Sequence, residues 1–296
     1  MKRQETITYL LISFMAFATI ILTQGLFASG NIKTDPPAAM QTYIEEYRVL
    51  SAPLTVLKQE SAFTSPQKEE FLSYSAKRLV SDKALLLMQE NNGEIDPSKP
   101  MVALTYDDGP YSPVTERILD VMEKYNIRCT FFVVGNRIGS YWASVQRAGS
   151  LGCEIGSHSL DHSTFPNLTA EGIFRQINET DYLIWYYTEK TANLLRPPGG
   201  NHDGRTDALV GKPLIMWSLD TEDWYTRDAQ ATIDNILKDV DDGDIILMHD
   251  LYPSTADATE IVVPELITRG FQLVTVSEMA EAKGIAFEDG KTYSHM

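Results

Sequence analysis

Two adjacent carboxylates, Asp107 and Asp108, end the segment Thr105-Tyr106-Asp107-Asp108 and are followed at once by Gly109-Pro110. Neighbouring side chains on an extended chain point to opposite faces, which leaves one carboxylate to bind a cation and the other free as a base. His158 and His162 stand four apart in His-Ser-Leu-Asp-His. In a helical turn both imidazoles would lie on one side, a spacing that clasps a metal. Two histidines and one carboxylate leave a position open for water, the arrangement of catalytic rather than structural zinc. Taken singly, each motif has a plainer reading, a solvated turn for the aspartates and a helix cap for the histidines, so their meaning depends on convergence.

Three further stretches carry suitable groups. In Arg196-Pro197-Pro198-Gly199-Gly200 the guanidinium can orient a carboxylate such as Asp107 and lower its pKa, or serve only as a salt-bridged loop. Asp220-Thr221-Glu222-Asp223-Trp224 offers carboxylates to orient a histidine and an indole face for a sugar, with core packing of Trp224 as the alternative. His249, in Leu247-Met248-His249-Asp250, is a natural general acid if it is not a ligand.

The elements that position these groups are short apolar runs, and each group stands at a run's exit. Strand-like runs fall at 101–106, 130–134, 153–156, 193–196, 214–219, 244–248 and 271–276. Helical segments are expected at 113–125 with Ser112 as cap, 169–188, 228–240, 256–269 and 277–283. Repeated βα alternation of this length predicts an α/β fold, a distorted or incomplete (β/α) barrel, with chemistry at the C-terminal ends of the strands.

Residues 31–98 lack this alternation and read as a stalk, partly helical from Ser65-Pro66 to Asn91-Asn92-Gly93. The apolar residues of that helix, Phe71, Leu72, Leu79, Leu86 and Leu87, are expected to pack on the main domain. Ahead of the stalk, Lys2 and Arg3 precede a nearly uncharged run over 7–30. It reads as an export signal retained as a membrane anchor, with a cleaved signal peptide and a secreted product as the alternative. The protein is therefore expected outside the cytoplasm, with residues 99–296 as its catalytic domain. A net charge of -16 over 296 residues provides no basic stripe for phosphates and excludes nucleic acid as a partner. Cys129 and Cys153 each begin a predicted strand, so a disulfide between parallel neighbours and a pair of buried free thiols both stay open.

Taken in order, Thr-Tyr-Asp-Asp-Gly-Pro, His-Ser-Leu-Asp-His, Arg-Pro-Pro-Gly-Gly, Asp-Thr-Glu-Asp-Trp and Leu-Met-His resemble the five motifs of the polysaccharide deacetylase family, carbohydrate esterase family four. The resemblance covers about residues 99–284 and implies metal-dependent removal of acetyl groups from glycans, most often from N-acetylglucosamine. By that resemblance Asp107 is the base and Asp108, His158 and His162 are the metal ligands. Arg196 orients the base, His249 is the acid, and Asp223, or nearby Asp220, tunes His249. Trp224 and Leu247 form the apolar walls for the acetyl methyl, and the Gly199 amide helps hold the oxyanion. Zinc is the expected metal, with cobalt, nickel or manganese as alternatives, and the expected partner is an acetylated cell-wall glycan, peptidoglycan ahead of chitin-like polymers. O-deacetylation of xylan and an inactive glycan-binding protein are the competing readings. Two departures stand out: Gly199 replaces a common aromatic residue, implying a more open groove, and Tyr106 replaces phenylalanine without exposing its strand.

Overall fold

The computed structural model describes residues 65–91 and 94–296, with side chains described from within the first helix onward. The strands are β1 (Met101–Asp107), β2 (Thr130–Val133), β3 (Glu154–Ser157), β4 (Leu214–Ile215), β5 (Leu219–Asp220), β6 (Ile245–His249), β7 (Gln272–Leu273) and β8 (Thr292–Tyr293). The helices are α1 (Ser65–Asn91), α2 (Ser112–Tyr125), α3 (Gly135–Ile138), α4 (Trp142–Ser150), α5 (Ala170–Thr188), α6 (Gly204–Leu209), α7 (Asp223–Thr226), α8 (Ala229–Asp239), α9 (Pro253–Thr268) and α10 (Val276–Ala282). Residues 72–296 form one compact unit. Of the other, 1–71, only 65–71 lie among the described residues.

β1 is buried along its whole length, as expected of an unbroken apolar run in a parallel sheet covered on both faces. The main sheet runs β3-β2-β1-β6-β5, with β7 paired to the start of β1 and β4 paired to β8, all parallel. Single bridges from Ser157 to Leu195 and from Leu195 to Leu214 link the two sheets. The alternation of strand side chains then separates two cores. Val102, Leu104, Tyr106, Ile246 and Met248 pack outward with Ile118 and Met122 of α2 and Val262 and Val263 of α9. Met101, Ala103, Phe132 and Ile245 pack on the opposite face with Leu194, Ile215 and Met279. Thr105 and Asp107 continue that second face, so it changes from apolar to polar towards the strand exits.

Most predicted elements form, and the departures have local causes. Residues 193–196 make no extended strand, since only Leu195 bridges before Pro197 and Pro198 turn the chain. The 214–219 run splits into β4 and β5 because the carbonyls of Ile215 and Met216 accept hydrogen bonds from the Arg196 guanidinium at 2.9 and 2.8 Å. The last run stops at Leu273, where Thr275 and Glu278 form a reciprocal capping box that starts α10. The cap of α2 is Tyr111 rather than Ser112. Tyr106 stays fully buried and its hydroxyl lies 3.0 Å from Thr259 Oγ1.

On α1, Ala84 is buried in the outer core with Leu85, Leu87 and Met88 partly covered, and Ser81 Oγ lies 2.7 Å from Tyr125 Oη; Leu79 is exposed, contrary to its expected packing. Cys129 and Cys153 stand side by side as buried free thiols with sulfurs 3.8 Å apart. Among the described residues no helix is long and apolar enough to cross a membrane, and the expected anchor over 1–30 lies outside them.

Gly156 tests how tightly the second face is packed. A methyl group there would sit 2.6 Å from two atoms of the Phe132 ring and 3.2 Å from the Leu194 carbonyl oxygen. The ring cannot yield freely, because it is fully buried with the Arg196 guanidinium 4.3 Å above it. Gly156→Ala is expected to destabilise the protein by about 1–3 kcal/mol, read by denaturant unfolding. An unchanged midpoint would show that this face has room to spare.

Candidate active site

The two aspartates meet at one place, contrary to the expectation that they diverge. Asp107 ends β1, and Asp108 takes a positive φ of 73°, which swings its side chain back towards its neighbour's. His158 Nε2 consequently lies 3.8 Å from Asp107 Oδ2 and 3.4 Å from Asp108 Oδ1, and His162 Nε2 lies 3.1 Å from the same Asp108 oxygen. The histidine segment is not a helical turn either. Ser159 and His162 both have a φ of 66°, and Ser159 Oγ accepts the His162 amide at 2.9 Å.

These atoms fit a divalent cation. His158 Nδ1 lies 2.7 Å from the Arg196 carbonyl oxygen, which can only accept, so Nδ1 carries the proton and Nε2 a free lone pair. That lone pair faces Asp108 Oδ1, a buried oxygen with no hydrogen-bond partner. Facing acceptors repel unless a positive charge lies between them, and Asp108, His158 and His162 are the metal-capable cluster among the described residues. Burial opposes ionisation of Asp108, but the two imidazoles beside it prevail and hold its carboxyl well below the usual carboxylate range.

Arg196 is fully buried and spends its donors on four acceptors. Nη1 donates to Asp107 Oδ1 and to Thr105 Oγ1, both at 2.8 Å, while Nε and Nη2 reach the carbonyls of Ile215 and Met216. Burial lowers the Arg196 pKa and Asp107 opposes that shift, leaving an ion pair inside the protein.

His249 faces this pair from the neighbouring strand, in register with Asp107. Its partner is Asp223, whose Oδ1 lies 2.8 Å from His249 Nδ1 and whose Oδ2 accepts from the His249 amide at 2.8 Å and Thr255 Oγ1 at 2.7 Å. Asp220, the alternative carboxylate, is exposed and accepts the Glu222 amide instead. Burial would lower the His249 pKa, but Asp223, helped by Asp107 and Asp108, raises it to about 9. The imidazole is therefore protonated at neutral pH, with Nδ1–H on Asp223 and Nε2–H directed elsewhere.

Leu247 is buried on β6, two residues before His249 and on the same side of the strand. Trp224 is half exposed in α7 beside Tyr225, which rules out the core-packing alternative, and Gly199 is exposed in the single 3₁₀ turn Pro198–Gly200. The sequence reading missed two supports. Gln176 Oε1 accepts the amides of Leu160 and Asp161 at 2.7 and 3.2 Å, and its Nε2 donates to Asp161 Oδ1 at 2.8 Å, holding the histidine loop. A polar residue on the buried stripe Ile173, Gln176, Ile177 and Thr180 of α5 was the available signal. Thr255 holds Asp223 from the first turn of α9, and nothing in the local sequence pointed to it. Asp250, beyond His249, is buried beneath Gly109 and raised to about 7 by that burial.

A parallel α/β sheet that brings together Asp108 from the exit of β1, His158 and His162 from the exit of β3 and an Asp-paired histidine at the end of β6 has the layout of a candidate hydrolase metal site. The chain belongs to the polysaccharide deacetylase family, whose model matches residues 94–212. It is 30% identical over 264 residues to the peptidoglycan-N-acetylmuramic acid deacetylase PdaC of Bacillus subtilis, spanning 87% of this chain and 56% of that protein. Among solved structures it resembles a substrate-bound T48 deacetylase, with 37% identity, a TM-score of 0.65, and coverage of 68% of this chain and all of the other. It also resembles a cobalt-bound family 4 acetyl xylan esterase from Clostridium thermocellum, with 34% identity, a TM-score of 0.63, and coverage of 66% and 98%.

Two measurements test the site's electrostatics. Calorimetric titration with zinc is expected to give one ion per chain, and His158→Ala should weaken binding by more than the roughly 10- to 100-fold that loss of a supporting hydrogen bond costs; equal affinity in the variant would refute the cluster. In the metal-free protein, the His249 ring is expected to titrate by NMR near 9, and clearly lower in Asp223→Asn, where burial is opposed only by Asp107 and Asp108. Because the folded value is raised, His249 stabilises fully below 6.5 and that contribution is lost as pH rises through about 9.

Proposed function

We propose that this protein removes N-acetyl groups from N-acetylglucosamine-containing glycans, with peptidoglycan as the substrate, releasing acetate. The observation that carries the proposal is the placing of Asp107 and His249 in register on adjacent strands beside the Asp108, His158 and His162 cluster. An acid and a base facing one another across a cation site is the equipment for hydrolysing an amide.

A divalent ion held by Asp108, His158 and His162 supplies Lewis acidity to the acetamide carbonyl and to water. Zinc is the first choice, with cobalt, nickel or manganese as alternatives. Asp107, oriented by Arg196, takes a proton as water adds to the carbonyl carbon. The Gly199 amide contributes to holding the resulting oxyanion, and Leu247 with Trp224 encloses the acetyl methyl. His249, kept protonated by Asp223, delivers its proton to the sugar nitrogen as the carbon–nitrogen bond breaks. Acetate and a free amine leave.

Peptidoglycan is favoured by the name of the PdaC relative and by the apolar 7–30 run, which we read as an anchor that keeps the protein outside the cytoplasm on a stalk. We read 99–296 as the catalytic domain and its sheet as an opened barrel, in which residues 214–220 join its two ends. The resemblance to an acetyl xylan esterase supports the rival O-deacetylase reading, since an ester would meet the same acid and base.

The test is acetate release by the full-length protein from N-acetylglucosamine oligomers, peptidoglycan and acetylated xylan. Activity on the first two is expected to vanish on chelation, return with zinc and fall by about 10²- to 10⁴-fold in Asp107→Asn. Activity on xylan alone would install the esterase reading. The alkaline limb of the rate should lie at or below about 9, because a cation nearby repels the imidazolium, and should move down further in Asp223→Asn.

A further inference from the structure

One charged side chain beside the candidate site has no task in the chemistry above. A cavity of about 350 Å³ opens over the metal cluster, lined by Asp108, Val134, Asn136, Arg137, Asp161 and His162. Arg137 is half-buried there. Every other described arginine has an ion pair, a hydrogen bond or an aromatic ring for its guanidinium, from Arg78 with Asp82 and Arg147 with three carboxylates to Arg227 over Tyr252. Arg137 alone among them has none. In a chain of net charge -16, an unmatched guanidinium is an exception. The two carboxylates of the same cavity are committed elsewhere, Asp108 to the imidazoles and Asp161 to the Ser163 amide and Gln176 Nε2.

The backbone fixes where this charge stands. The Gly135 amide donates to the Ser159 carbonyl at 3.0 Å and the Asn136 amide to the Leu160 carbonyl at 2.8 Å, tying the turn before Arg137 to the histidine loop. A Cβ at Gly135 would meet Thr180 Oγ1 at 2.6 Å and Leu160 Cδ1 at 2.9 Å, so the two segments are in close contact. Arg137 is thus mounted on a rigid support shared with the metal ligands.

We propose that Arg137 forms a subsite for a carboxylate carried by the sugar whose acetamide lies at the metal cluster. The reading rests on the deacetylase proposal and sharpens its substrate class. In an N-acetylmuramyl unit the acetamide is on C2 and the lactyl ether, which carries or extends to a carboxylate, is on the adjacent O3. A guanidinium in the same cavity as the ligands is placed for that neighbour, whereas N-acetylglucosamine has only a hydroxyl there. The planar fork of arginine also suits bidentate pairing with carboxylate.

The experiment compares kcat/KM of the full-length, zinc-loaded protein on four substrates. They are an N-acetylglucosamine oligomer, peptide-free glycan strands with lactyl carboxylates, the same strands with those carboxylates converted to methylamides, and strands retaining their peptides. The wild type is expected to favour a carboxylate over its amide by about tenfold, the size of one charge-assisted pair, and Arg137→Gln to abolish that preference. Activity of Arg137→Gln on the neutral oligomer should stay within about twofold of wild type, which also shows that the variant folds. A preference seen with free strands assigns the lactyl carboxylate, and one seen only with peptide-bearing strands assigns a peptide carboxylate. No preference in the wild type, or the same preference in Arg137→Gln, overturns the proposal. Calorimetric binding of the free and amidated strands to Asp107→Asn, with and without Arg137→Gln, gives the same comparison without turnover. A binding preference that needs Arg137 in a protein silent towards every substrate would overturn the deacetylase reading and leave the subsite standing.

Discussion

The buried ion pair between Arg196 and Asp107 is the constraint on which the rest of the site depends. With both groups shielded from water, the guanidinium and the carboxylate are each costly alone, and together they require the surrounding acceptors that the fold supplies. Thr105 Oγ1 and the carbonyls of Ile215 and Met216 take three more of the guanidinium donors, which draws the end of β1 and the kink between β4 and β5 to one point. The Arg196 carbonyl, meanwhile, sets the tautomer of His158. One residue thus orients Asp107 through its side chain and His158 through its backbone, so those two side chains cannot be repositioned independently.

Around that pair the electrostatics are divided by element. Asp108 Oδ1 and the imidazole nitrogens of His158 and His162 converge on one point, an arrangement suited to a shared cation. On the next strand Asp223 accepts three hydrogen bonds, two of them from His249, and that double grip keeps the imidazole charged despite its burial. A carboxylate oriented by an arginine and an imidazole that stays protonated, on adjacent strands, are a pairing suited to acid–base chemistry. The same sheet keeps its apolar residues lower on that face, where Met101, Ala103 and Ile245 pack away from water.

Much of this was legible in the residues. The 101–106 run, the helix over 169–188 and the positions of Asp107, His158, Arg196 and His249 at strand exits all follow from hydrophobic period and turn chemistry, which act over a few residues. Convergence did not follow, because it depends on partners far apart in the chain. Nothing local says that Asp108 would adopt a positive φ and turn towards its neighbour, or that the histidine loop would rest on Gln176 rather than coil into a helix. Asp223 is the first choice and nearby Asp220 the alternative, and it is the packing of His249 and of α9, which brings Thr255 to Asp223, that decides between them. The runs at 193–196 and 214–219 read as strands by composition, yet their backbone groups are claimed by prolines and by the Arg196 side chain.

The sequence by itself determined the class of fold, the family and the identity of the groups able to do chemistry, since side-chain type, period and motif order are properties of the chain alone. The tertiary structure decided which of those groups share a site, which protonation state each holds and which arginine stands without a partner. Those are consequences of distance and burial, and both arise only when residues remote in sequence are packed together.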